Sequence, residues 1–240
     1  MLATESHPSI NHPCSCGSSD SSGTPKIRSC HCNDCMFFDP CCDTCFIEWH
    51  WSSPLHWAEV WNGQFFERRD ISQLGYVFTF GHDGLGGICP NASPTMEFIL
   101  VDLTGVHRTR IAFCECIGRL RDRVDLLLKA QIFPATLTLP WMGFTFNLLK
   151  DFYLHTIASK KSPYDYIAAI RRKTNNAFPD DVPVGFCFHF RSCILTIILY
   201  RILTTNFCES NESGVLWLCW SAADRFTISI FFFLFVVLET

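Results

Sequence analysis

Between Trp57 and Cys116 the apolar residues come in short runs, Tyr76 to Phe80, Phe98 to Val101 and Arg108 to Phe113, cut apart by Gly, Pro and Asn clusters such as the Gly-rich stretch from Gly81. Short runs bounded by turn residues predict strands. Along the last run Thr109, Ile111 and Phe113 share one face, while Arg110, Ala112, Cys114 and Cys116 share the other. From residue 118 to 173 the period lengthens, and Phe144, Leu148 and Phe152, flanked by Leu149 and Tyr153, form a stripe at helical spacing. Ser162-Pro163-Tyr164-Asp165 reads as a helix start, with Ser at the N-cap, Pro in the first turn and Asp three residues after the cap. The helix predicted from about 163 to 173 ends in Arg171, Arg172 and Lys173, cations placed where the helix dipole favours them.

The two ends of the chain differ from this middle. Residues 1–29 are rich in Ser, Pro and Gly without apolar period, and most of them predict a flexible polar arm. From Val184 the chain turns apolar, with one run to Phe207 that contains Arg191 and Arg201 and another from Phe226 to Leu238. A membrane-crossing helix needs ~20 predominantly apolar residues. The two arginines would cost about 5 to 7 kcal/mol, close to what a dozen Val, Leu, Ile and Phe return, so insertion of the first run stands near balance. The tail from 183 to 240 therefore carries two readings, a transmembrane segment or a mistranslated one, in which a shifted frame or translated intron begins after Pro183.

Composition narrows the classes. Of 240 residues, 48% are hydrophobic and 18% charged, and the net charge of −4 offers no global attraction to nucleic acid. Any such binding has to be local. The 15 cysteines change the picture most, because they crowd the N-terminal part together with histidines. Cys32-x2-Cys35 and Cys42-x2-Cys45 are knuckles in which two thiolates of one turn reach one Zn²⁺ at about 2.3 Å. His50-x5-His56 is a third pair, and Cys14-x-Cys16 a fourth. Four pairs make two tetrahedral sites. In a cross-brace order the first and third pairs share one ion, Cys14, Cys16, Cys42 and Cys45, and the second and fourth share the other, Cys32, Cys35, His50 and His56. Cys30 or Cys41 can substitute in the tight C-x-C pair. A disulfide scaffold is the rival reading, but the N-terminus has neither a basic nor an apolar leader region, and C-x2-C pairs beside histidines favour zinc. A further site would use Cys114 and Cys116 with Cys89 and either His82 or His107; small buried cysteines are the alternative. Trp57, Trp61, Phe65 and Phe66 read as core packing around a small metal module or as a stacking platform for bases.

These residues carry a resemblance. The knuckles with His50 and His56, Glu59 to Phe66, Leu74-Gly75, Gly81-His82, Cys89-Pro90, Val101 to His107 and Phe113-Cys114-Glu115-Cys116 resemble the CxC2-type cysteine-cluster domain of fungal KDZ transposases. Ile132 to Thr138, Phe144 to Phe146, Leu148 to Phe152 and Ser162 to Tyr166 continue it, over roughly residues 30 to 182. The resemblance implies a zinc-binding module that contacts DNA or a protein partner and is joined to a catalytic region with an RNase H-like core, and without that region the expected role is non-catalytic and nuclear. That region would begin where this chain ends.

The expected fold is α+β: a flexible arm (1–29), a small cross-brace, B-box or treble-clef-like zinc module with a mostly antiparallel β segment (30–117), a helical segment (118–182) and the apolar tail (183–240). Strand transfer would need three carboxylates holding two metal ions. Asp102, at the end of the run Phe98 to Val101, resembles the opening of such a core, but it precedes Gly105 and reads as a turn residue. No catalytic residue is assigned. Local basic candidates for DNA are Arg108, Arg110, Arg119, Arg121 and Arg123, interleaved with Asp122 and Asp125 as on a solvated helix face. The second function class is a membrane-anchored cysteine-rich interaction protein with the zinc module in the cytosol.

Overall fold

The three short apolar runs all become strands of one five-stranded sheet, and a smaller sheet forms upstream of them. In the computed structural model, residues 7–36, 39–81, 89–116, 122–136, 139–182, 190 and 193 are described. A three-stranded antiparallel sheet joins β1 (Cys30–His31), β2 (Ala58–Trp61) and β3 (Phe66–Arg69), with α1 (Asp43–Trp49) between β1 and β2 in sequence. A five-stranded sheet follows, built from β4 (Phe78–Phe80), β5 (Met96–Asp102), β6 (Gly105–Phe113), β7 (Ile132–Pro134) and β8 (Met142–Thr145) in the order β4-β6-β5-β8-β7. The helices are α2 (Arg123–Lys129), α3 (Phe146–Ser159) and α4 (Pro163–Thr174).

Pairing within residues 30–117 is mostly antiparallel, as expected, with β4 parallel to β6 as the exception. The five-stranded sheet adds β8 parallel to β5 and β7 antiparallel to β8, and it corrects one expectation. Two of its strands, β7 and β8, lie in the segment expected to be helical. Phe144 shows why: it keeps the helical-looking spacing to Leu148 but belongs to β8, and Thr145 ends the strand and caps α3 by accepting the Leu148 N–H at 3.2 Å. Periodicity alone cannot separate a short buried strand from a helix turn. At the second start the reading from caps holds, because Ser162 Oγ accepts the Asp165 N–H at 3.1 Å and donates to Asp165 Oδ2 at 2.7 Å.

Strand β4 covers only the end of β6, from Ile111 to Phe113. Upstream, side chains take over the pairing. Asp70 accepts the Arg108 N–H (3.1 Å) and Ser72 accepts the Arg110 N–H (3.2 Å), so the 3₁₀ turn Ile71–Leu74 closes an edge that would otherwise leave donors unpaired. Asp102 lies in the β5–β6 turn, where it accepts from the Thr104 backbone and hydroxyl at 3.3 and 3.1 Å. Gly105 there has φ of 146°, and a Cβ at that position would stand 2.9 Å from Thr174 Oγ1.

Each face of the sheet buries one core. Phe98, Leu100, Ile111 and Phe113 meet Leu126 and Leu127 of α2 and run on into Phe46, Ala58 and the buried cysteines of the N-terminal part. On the other face Val101, Val106, Met142 and Phe144 pack against Leu148, Leu149 and Phe152 of α3 and Tyr166, Ile167 and Ile170 of α4. Phe190 is fully buried there, with its ring 5.0 Å from Phe152 and 5.3 Å from Phe144.

Residues 7–29 differ from the polar arm expected of them. They double back on themselves, with Cys14 N–H donating to Lys26 O (2.8 Å) and Arg28 N–H to His12 O (2.9 Å). Asp20 accepts the backbone N–H groups of Ser22 and Thr24, each at 2.9 Å. The Ser22 hydroxyl and these bonds hold its carboxyl below the ordinary carboxylate range. Apart from Phe190 and Cys193, the apolar tail lies outside the described residues. Among those residues no helix is long and apolar enough to cross a membrane.

Candidate metal centre

Three groups of thiols and imidazoles converge, each with its donor atoms within 4.8 Å of one another: Cys14, Cys16, Cys42 and Cys45; Cys32, Cys35, His50 and His56; and Cys89, Cys114 and Cys116. Helix α1 links the first two. Cys42 is its N-cap and Cys45 lies in its first turn, facing the loop that carries Cys14 and Cys16. His50 is its C-cap and points the other way, toward the Cys32–Cys35 turn that follows β1 and toward His56 before β2.

The spacing inside each group tests the fit to a metal. Four sulfurs at about 2.3 Å from one ion would stand about 3.8 Å apart, and a sulfur–nitrogen edge would be about 3.5 Å. Cys14 and Cys45 Sγ are 3.9 Å apart, and Cys16 and Cys42 Sγ 3.7 Å. In the second group Cys35 Sγ is 3.4 Å from His50 Nε2 and 3.3 Å from His56 Nδ1, and Cys32 Sγ is 3.7 Å from His56 Nδ1. Cys89 and Cys116 Sγ are 3.6 Å apart. The separations are those of tetrahedron edges.

Surrounding groups orient the donors. His50 Nδ1 donates to Phe46 O at 2.9 Å, which leaves the Nε2 lone pair facing Cys35, and its ring stacks on Phe46 at 4.0 Å. The Cys42 N–H donates to Cys14 Sγ at 3.4 Å. Burial pushes the Cys32 thiol up to about 12, with Cys35 beside it adding to the rise. Cys16 is lowered to about 6 by the Ser18 hydroxyl and backbone. Cys116 is pushed up to about 11, first by its contact with Cys114 and then by Cys89. Thiolates this close repel one another, so a shared cation is what lets a whole group deprotonate.

Cys30 and Cys41 stand apart from these groups. They face each other across an antiparallel bridge with both backbone bonds at 2.9 Å, and both thiols are buried and raised by that burial, Cys30 to about 11. Among the described residues no cysteine is joined in a disulfide.

The third group falls inside residues 71–178, and those residues match the family model described as the CxC2 like cysteine cluster associated with KDZ transposases. The chain carries a CxC2-like cysteine cluster. No curated protein and no solved structure matches the chain. The CxC2 match spans β4 to α4 and begins downstream of Cys14 to His56, so the first two donor groups precede it. Within the match, Gly81 has φ of 114°, and a Cβ there would come 2.7 Å from Cys114 Cβ, so the approach of this strand end to the cysteines requires glycine.

His107 is not part of the third CxC2 group, contrary to one of the two expectations for it. Its Nδ1 lies 2.9 Å from Asp70 Oδ1 and its Nε2 2.9 Å from Thr104 Oγ1, and its ring stacks on Trp57 at 4.2 Å. Thr104 Oγ1 also lies 2.9 Å from Leu55 O, and Trp57 Nε1 donates to Thr104 O at 2.9 Å. This buried node ties the segment around His56, from Leu55 to Trp57, to the β5–β6 turn. His82, the other candidate fourth donor, lies outside the described residues.

Asp102 is held by Thr104 and by the Thr145 hydroxyl at 2.5 Å. Arg108 and Arg110 are exposed on β6, Arg123 lies over the Phe113 ring at 5.3 Å, and Arg119 and Arg121 fall outside the described residues. Asp122 caps α2 by accepting the Val124 N–H at 2.9 Å, and Asp125 lies in its first turn. Trp57 is buried and Phe65 exposed, which splits the four aromatics between core and surface. Asp70 lies in no motif, and Thr104 lies inside the run Val101 to His107 with no role of its own assigned there.

Proposed function

We propose that this chain is a non-catalytic zinc-binding module of a KDZ transposase-like, transposon-derived protein, acting in the nucleus through contacts with DNA or a protein partner. The observation that carries the reading is the interleaved order of the first two donor groups, at separations matching tetrahedron edges. Cys14, Cys16, Cys42 and Cys45 would hold one Zn²⁺, and Cys32, Cys35, His50 and His56 a second, in a cross-brace of B-box or treble-clef type. Zinc supplies fold stability here. Four protein donors close each site and leave no position for water or substrate, which is the mark of a structural ion.

Cys89, Cys114 and Cys116 would hold a third ion together with one further donor. The family match supports the transposon origin. Metal content of the purified full chain tests the reading, with at least two Zn²⁺ per chain expected and three if the third group loads. Chain that folds without stoichiometric zinc, or keeps its circular dichroism unchanged in chelator, would refute it.

A further inference from the structure

A groove of about 1080 Å³ runs between β3, β6 and the end of α4, and Phe65, Arg108, Arg172, Asn176 and Phe178 are among its lining residues. Phe65 and Phe178 are 43% and 65% exposed, while most of the described phenylalanines are buried in two cores. Neither sits on a loose loop. Asn62 Oδ1 accepts the N–H groups of Gln64 and Phe65, both at 3.0 Å, and Asn175 Oδ1 accepts those of Ala177 and Phe178 at 3.1 and 3.0 Å. Two braced turns thus present two aromatic rings to the groove.

The charges between the rings are unequal in availability. Among the lining carboxylates, Glu67 is paired with Arg69 at 2.7 Å, and Asp70 is bound to His107 and the Arg108 backbone, while Asp181 is exposed on its 3₁₀ turn. Among the cations, Arg68 is engaged by Glu59 and by Lys173 O, and Lys173 by Leu103 O. Arg108 and Arg172 are exposed and form no ion pair among the described residues. The carbonyl end of α4 would repel a phosphate. Three of its carbonyls are covered, Ile170 O by the Thr174 hydroxyl, Arg171 O by the Asn175 N–H and Lys173 O by Arg68.

Free guanidinium groups flanked by rigid exposed rings are what a single nucleic-acid strand needs, phosphates on the cations and unstacked bases on the rings. A duplex keeps its base faces stacked and can use only the cations. We propose that this groove binds single-stranded nucleic acid. The inference deepens the interaction role proposed above and rests on it, but it uses none of the metal donors.

The test is fluorescence anisotropy with the full chain and a labelled oligothymidylate of about twelve nucleotides, a length within the usual site range. Oligouridylate and a duplex of equal length serve as the other arms. The expected result is saturable binding of the single strands, with log affinity falling against log salt at a slope of about −1.4 for two neutralised phosphates. Arg108→Glu with Arg172→Glu should abolish most of it, and Phe65→Ala or Phe178→Ala should each weaken it about fivefold or more. A preference for thymidylate or uridylate assigns the strand as DNA or RNA, and either supports the groove. Three outcomes overturn it: no binding, a duplex that competes equally, or a double-charge variant that binds like the parent while keeping its circular dichroism and zinc content. Zinc measured on the same samples separates the two readings, since zinc-loaded chain that ignores the oligonucleotide defeats the groove alone.

Discussion

Asp70 is the substitution whose cost the structure defines best. Its carboxylate serves two partners at once, His107 Nδ1 at 2.9 Å and the Arg108 N–H at 3.1 Å, with its side chain 10% exposed and that of His107 2% exposed. Asp70→Ala removes both bonds, and each partner left unpaired costs about 1–3 kcal/mol, so the expected loss is about 2–6 kcal/mol. That is a large share of the about 5–15 kcal/mol that holds a domain folded. Asp70→Asn should cost only about 1–2 kcal/mol, because the amide oxygen still accepts from Arg108 and the amide nitrogen can donate to His107, whose Nε2–H then turns to Thr104. Urea unfolding followed by tryptophan fluorescence is the assay, and Trp57, stacked on His107 at 4.2 Å, is a local reporter. An Asp70→Ala loss below about 0.5 kcal/mol, the range of ordinary surface changes, would refute the account. So would an Asp70→Asn variant as unstable as Asp70→Ala.

Three further outcomes follow from the same geometry. Cys45→Ser should lower the zinc content by one ion per chain and leave the Cys32, Cys35, His50 and His56 group loaded, as metal analysis of the purified variant would show. Gly143→Ala should destabilise by about 1–3 kcal/mol in thermal unfolding, because its Cβ would come 2.6 Å from Ile132 Cγ2 in the middle of the sheet. Zinc affinity should rise with pH: the Cys32 thiol, pushed up to about 12 by burial, is protonated in the metal-free chain at neutral pH, so loading must release a proton. Titration calorimetry in buffers of different ionisation enthalpy would read that release, and proton-independent binding would contradict it.

Much of the donor geometry was legible because chelation is local. A C-x2-C turn brings two sulfurs together whatever the rest of the chain does, whereas the short helix between Cys42 and His50, whose two ends serve different groups, came only with the structure. The cap at Ser162 was legible for the same reason, since Ser162 and Asp165 settle it within one turn. What stayed hidden was long-range. His107 has the chemistry of a zinc ligand, yet Asp70, 37 positions away, engages it first. Nothing near either residue announces that pair.

The pairs of thiols and imidazoles that meet in space and the helix start at Ser162 came from the sequence alone, because each is decided by residues within a few positions of one another. Only the tertiary structure decided that β8 enters the sheet beside β5, that Asp70 and Ser72 close the free edge of β6, and that His107 belongs to a buried node and not to a metal group. Those outcomes depend on which distant strands pair and which buried polar groups must be satisfied, and short apolar runs such as Ile132–Pro134 fit several pairings equally until the whole core is packed.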